Sequence, residues 1–259
     1  MTIDLFQVDA FAGKLFGGNP AAVCPLETWL PEGTMQSIAE ENNLSETAFF
    51  VRRDKGFDIR WFTPKVEIAL AGHPTLASAH VIYHHLGHFA ARIDFQSKSG
   101  LLTAERKGDI IHLDFPAFQA KPVEPPPDLI AGLRRPPREV LLGRDFLAVY
   151  ETEEDVLALD PDFGALGRVD CLGIIATAPG RSSDFVSRFF APRVGINEDP
   201  VTGSAHTLLI PFWSARLGKK ELHAFQVSKR RGELFCEDLG ERVRIGGRCV
   251  TYLRGTVTL

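Results

Sequence analysis

RFFAPRV, residues Arg188–Val194, repeats RWFTPKV, residues Arg60–Val66, with Arg, Phe, Pro and Val identical and Trp/Phe and Lys/Arg exchanges between them. One short likeness could be accident, but this one is collinear with three others. Gly72 with Thr75-Leu76 matches Gly203 with Thr207-Leu208, Leu86-Gly87 matches Leu217-Gly218, and Phe95-Gln96 matches Phe225-Gln226. Counted from the first pair, the offsets are 128, 131, 131 and 130. A nearly constant offset close to half the chain marks a duplicated unit of strands around one helix.

The rest of the chain fits that unit. Gly17-Gly18-Asn19-Pro20 is a turn between two strands, and about Pro31–Asn42 reads as a helix. ETAFFV and FDIRWF have strand lengths. PTLASAHVIYHHLG reads as a helix, with Pro74 in its first turn and Gly87 as its stop. The second repeated helix, AHTLLIPFWSARL, is apolar nearly all round, as expected of a helix enclosed by a sheet. Pro211 inside it should kink it, by removing a backbone bond near Thr207. The proline-rich AKPVEPPPDL joins the halves, giving an N-terminal domain over 1–118 and a C-terminal domain over 119–259.

Composition narrows the functional classes. With 44% hydrophobic and 24% charged residues the chain is an ordinary globular protein. A net charge of −4 gives no footprint for a polyanion, so nucleic acid is not an expected partner. The N-terminus is neither a signal peptide nor a membrane span, and the expected location is the cytoplasm, away from membranes. The four cysteines are scattered without a CxxC and read as reduced thiols. His80 and His84, followed by His85 and His88, have a chelating spacing but lack the acid of HExxH. They read as a solvated helix end, and no metal is expected.

Both repeated helices begin at a glycine turn, AGHPT in one half and VTGSAHT in the other. A helix start exposes unpaired N–H groups and a partial positive charge, which suit a carboxylate or phosphate. Two such starts facing one cleft would grip a small anion. The plainer reading is that Gly72 and Gly203 make turns while Ser204 caps its helix. Titratable groups lie close by: His73 and Asp199 at the two helix starts, and Glu46 in NLSETAFF among apolar neighbours. Glu46 is the leading candidate for proton transfer. Simple strand alternation would instead turn it to solvent.

In that order and spacing, GGNPAAV, NLSETAFF, AGHPT and SRFFAPRVGINEDPVTGSAHT resemble the PhzF-like phenazine-biosynthesis family over essentially the whole chain. The resemblance implies an α+β fold of the diaminopimelate-epimerase type. Two pseudo-symmetric domains are each a mixed sheet or barrel rolled around a central helix, with the active site in the cleft between them. The phenazine enzyme isomerises trans-2,3-dihydro-3-hydroxyanthranilate without a cofactor, a glutamate moving a proton between ring carbons. By motif that glutamate is Glu46, the assisting residues are His73 and Asp199, and the carboxylate site is Gly203-Ser204 with Gly72 as counterpart. Related epimerases place one cysteine at each helix-start turn. Here those turns carry Ala71, His73 and Ser204, which disfavours a two-thiol mechanism.

The expectation is therefore a cofactor-independent isomerase that moves a proton on a small carboxylate-bearing molecule, such as a cyclic amino acid. An amino-acid epimerase or racemase, and a non-catalytic small-acid binding protein, are the alternatives. The resemblance also implies a homodimer.

Overall fold

The computed structural model describes every residue from Met1 to Leu259. Two compact units divide the chain, Met1–Asp114 with Gly246–Leu259, and Phe115–Ile245. No helix is long and apolar enough to cross a membrane.

In the first unit, β1 (Thr2–Ala10) runs antiparallel to β2 (Asn19–Leu26) on one side and to β18 (Cys249–Thr258) on the other. β2 pairs parallel with β3 (Thr47–Arg52), and that parallel step requires a crossover, supplied by α1 (Glu32–Asn42). β3 pairs antiparallel with β4 (Phe57–Phe62), which pairs parallel with β6 (Arg92–Ser97). The second crossover consists of β5 (Glu67–Ile68) and α2 (Gly72–His84). β7 (Gly100–Lys107) and β8 (Ile110–Pro116) complete an antiparallel meander.

Every residue of α2 from His73 to Tyr83 is buried, so this apolar helix is the axis around which the sheet rolls. It starts and stops where its sequence dictates: Pro74 lies in the first turn, and Gly87 takes φ +67 just beyond the end. Met35 and Ile38 of α1 pack with Cys24, Phe49 and Phe62 in a second layer of core.

The second unit repeats the plan. β10 (Glu139–Leu142) is antiparallel to β11 (Phe146–Val149), which is parallel to β12 (Ile174–Pro179). β12 is antiparallel to β13 (Phe185–Ala191), itself parallel to β15 (Glu221–Gln226). β14 (Ile196–Asp199) and α6 (Gly203–Leu217) form the crossover, and β16 (Gly232–Asp238) and β17 (Arg242–Gly247) follow. Three short helices, α3 (Pro127–Leu133), α4 (Glu153–Leu157) and α5 (Phe163–Leu166), supply Leu129, Leu133, Val156 and Leu166 to this unit's core.

Two details differ from the sequence reading, and the bond that Pro211 removes near Thr207 is accounted for. The last strand lies with the N-terminal unit, not with the C-terminal repeat, because β18 pairs along the whole of β1. The proline-rich joint is structured: Lys121-Pro122 form β9, paired with β10, and Pro127 opens α3. α6 runs through Pro211 without a break, and the carbonyl of Thr207, which Pro211 cannot serve, accepts a 2.9 Å bond from the Phe118 N–H.

Candidate functional site

Glu46 stands just before β3, and its backbone carbonyl accepts from the Ala22 N–H at 3.2 Å, which fixes the start of the parallel β2–β3 pairing. Its carboxylate is not turned to solvent: only 14% exposed, it comes within 3.0 Å of His73 Nε2, an ion-pair distance without hydrogen-bond alignment. His73 is buried at the start of α2, and its Nδ1 accepts from the Asn19 side-chain amide at 3.3 Å. The nitrogen that faces Glu46 is Nε2. Ala71 occupies the cap position of α2 and makes no side-chain cap, so the N–H groups around Gly72 are not capped from within.

In the second unit, Asp199 ends β14, opposite Phe189 of β13. Its carboxylate accepts a short hydrogen bond from the Thr202 hydroxyl. Thr202 holds the cap position of α6 without capping it, and Ser204, the cap the sequence suggested, is inside the first turn. No side-chain cap closes the start of α6, and Ser204 places a hydroxyl in its first turn.

The turn itself is rigid. Gln226, fully buried on β15, accepts from the Thr202 N–H at 2.8 Å and donates to the Asp199 carbonyl at 2.8 Å and the Thr202 hydroxyl at 3.2 Å. Ser228 donates to the Pro200 carbonyl at 2.8 Å.

The structure thus brings Glu46 and His73 together beside Gly72 in one unit, and gathers Asp199, Gly203 and Ser204 in the other. Sequence reasoning missed Asn19 and Gln226 as supporting residues. Asn19 was visible only as a turn residue in GGNP, and Gln226 only as a marker of the repeat.

The histidines near the end of α2 point elsewhere. His80 and His85 both bond the Thr251 hydroxyl, at 2.9 and 2.8 Å, and His80 lies against the His84 ring. No three His, Cys, Asp or Glu side chains are grouped to hold a metal ion. Burial pushes the thiols of Cys24 and Cys249 up to about 12 and that of Cys171 to about 11, and raises Cys236 as well. None is poised as a thiolate base.

Two α+β units, each built around an enclosed helix, form the architecture shared with epimerases and racemases. A crystal structure of a hydroxyproline epimerase from Agrobacterium vitis matches with a TM-score of 0.62 over 99% of this chain and 91% of that one; at 10% identity the likeness is one of fold alone. More specific is a Phenazine biosynthesis-like protein (PhzC-PhzF) family model, which matches residues 8–255, and the chain belongs to that family. A PhzF-family crystal structure from Enterococcus faecalis superposes with a TM-score of 0.98 at 47% identity, covering all of both chains. An uncharacterized isomerase of Pseudomonas aeruginosa is 50% identical over the whole of both sequences. Its relatives make the chain an isomerase.

Proposed function

We propose that the chain is a cofactor-independent isomerase in which Glu46 moves a proton between two carbons of a small carboxylate-bearing substrate. The Glu46 carboxylate takes the proton from one carbon, becomes the acid, and returns it to another, so the substrate changes connectivity without gain or loss of atoms. His73, whose Nε2 lies 3.0 Å from the carboxylate, steadies it between the two transfers. The uncapped start of α6, with Gly203 and Ser204, binds the substrate carboxylate; Gly72 does the same at α2, and Asp199 assists as a second polar anchor. The observation that carries this reading is the 3.0 Å approach of the partly buried Glu46 to His73.

Solvent isotope exchange tests it. Incubated in D₂O with a metabolite extract, the wild-type chain should label a carboxylate-bearing metabolite at carbon and convert it to a constitutional isomer. Glu46→Gln should fold and bind but lose this activity by about 10² to 10⁴-fold, the usual contribution of general acid–base catalysis. Unchanged turnover would exclude Glu46. Label at a single carbon with inversion would identify an epimerase, and retention of a carboxylate without any exchange a binding protein.

A further inference from the structure

At the opposite end of α2 from His73, the first unit contains an apolar pocket of about 310 Å³, at the lower end of the size range of small-molecule sites. Leu26, Phe50, Phe57, Ile82, Leu86 and Phe89 form its walls. Phe50 and Phe57 meet edge to face at 5.4 Å, and Phe57 meets His88 at 6.2 Å, so the floor is a fixed aromatic surface. Phe89 stands at the rim, 91% exposed. An aromatic ring so bare beside an apolar hollow is a surface with nothing covering it.

The polar group in the lining that sets ligand charge is Arg52. It ends β3 and makes no ion pair or hydrogen bond, whereas its neighbour Arg53 is tied to Asp58. The duplicated unit offers an internal control. There the position matching Arg52 is Pro179: Arg52 faces Phe57 in the β3–β4 pair as Pro179 faces Phe185 in the β12–β13 pair. After the matched Leu-Gly the second unit carries Lys219 and Lys220, whereas the first carries His88 and Phe89, which line the pocket. The first unit alone carries an arginine at this position, beside the hollow that His88 and Phe89 help to line.

We propose that this pocket binds a small aromatic carboxylate, its ring lying between Phe57 and Phe89 and its carboxylate on Arg52. The site is separate from Glu46 and does not depend on the reaction assigned to it.

The test uses the full chain with 2-naphthoate as probe, and 2-naphthamide and 2-naphthylmethylamine as neutral and cationic controls. Two-dimensional NMR should show shifts at Leu26, Phe57, Leu86 and Phe89, with affinity in the order carboxylate, amide, amine. Arg52→Met keeps the apolar stem and should weaken naphthoate about tenfold or more while leaving the amide unchanged, as expected for one charge-assisted contact. Leu86→Trp, which fills the mouth, should abolish binding of both with the spectrum of the folded chain retained. The proposal is overturned by any of three results: no shifts in these residues at millimolar naphthoate, equal affinity of Arg52→Met and wild type, or shifts confined to the starts of α2 and α6.

Discussion

The two units share their frame and differ in their chemistry. Arg60 of β4 makes a two-pronged pair with Glu67 at 2.8 and 2.7 Å, and Arg188 of β13 makes the same pair with Glu198 at 2.7 and 2.9 Å. Each guanidinium also covers the ring two residues on, Phe62 or Phe190. At the helix starts, Thr75 bonds the Ala71 carbonyl and His206 bonds the Thr202 carbonyl. Around this common frame the candidate site positions differ: the first unit holds Glu46 and His73, and the second holds Asp199 and Ser204. Gln226 is buried as a clamp, whereas its counterpart Gln96 is exposed and donates only to the Ser97 carbonyl. Duplication preserved what orients the central helix and left the turn in front of it free to change.

The sharpest way to break this comparison is to remove one function from each unit. Glu46→Gln should lower turnover by about 10² to 10⁴-fold. Ser204→Ala, in the proposed carboxylate grip, should raise KM roughly tenfold with little change in kcat, the mark of lost uniform binding. Should Ser204→Ala depress kcat as strongly as Glu46→Gln, the division into a proton-moving unit and an anion-holding unit fails.

The shared ion pairs permit a finer comparison, because their surroundings differ. Arg60 keeps Glu32 at 2.6 Å if Glu67 is lost, whereas Arg188 would keep only the carbonyls of Val156 and Leu159, at 3.3 and 2.8 Å. Glu198→Gln should therefore cost more than Glu67→Gln, within a range of about 1–3 kcal/mol for hydrogen bonds to charged groups. Thermal unfolding of the two variants, compared at pH 7, checks the order. A larger loss for Glu67→Gln would show that Lys98, which also holds Glu67 at 2.5 Å, matters more than Glu32.

Acid should act through a buried histidine in each unit. Desolvation, with the neighbouring His84 and His85 adding repulsion, holds His80 down to about 3. Around this cluster Arg106 bears on His84 and Arg254 on His85, both also lowering, while Thr251 bonds His80 and His85. In the second unit desolvation holds His206 down to about 4, opposed by its bond to the Thr202 carbonyl. Both are neutral in the folded chain and take up a proton on unfolding once the pH is below their ordinary value. Their stabilising contribution is intact above pH 6.5 and falls as the pH drops toward 3–4. At pH 5 this amounts to about 1–2 kcal/mol per histidine. Glu67, which Arg60 first and Lys98 second hold down to about 2 despite desolvation, adds its own loss only below about 4.5. Melting temperatures between pH 7 and 5 should therefore decline in the wild type, and less steeply in His206→Asn and in His80→Gln. An unchanged slope in both variants would rule out the histidines as its source.

How much of this could be read from sequence follows from which contacts are local. The repeat was legible because Arg60, Phe62 and their counterparts Arg188 and Phe190 sit in one short strand. Their acids were not, since Glu67 follows Arg60 by 7 residues and Glu198 follows Arg188 by 10, a difference that breaks the alignment. α4 and α5, with 5 and 4 residues, are too short to show a helical period. The return of β18 to β1 joins residues as far apart as Thr2 and Thr258, and no local pattern announces it. The motif residues Glu46 and His73 could be nominated because AGHPT and NLSETAFF resemble a family. That Asn19 fixes the imidazole and Gln226 the α6 turn required coordinates.

Pro211 gives the smallest effect and the closest test of how the second helix was accommodated. α2 has no internal proline after its first turn, whereas α6 carries one in its middle, where replacement by alanine ordinarily gains about 3 kcal/mol. Here most of that gain should be absent. The Thr207 carbonyl already accepts from the Phe118 N–H at 2.9 Å, so a new N–H at position 211 competes for an occupied acceptor instead of filling an empty one. Pro211→Ala should accordingly change stability by less than about 1 kcal/mol, because one hydrogen bond merely replaces another. Faster hydrogen exchange at the Phe118 amide should accompany it. A stabilisation near the full helix-propensity value, with Phe118 still protected, would mean that the proline strains α6 and that the segment before β9 does not compensate for it.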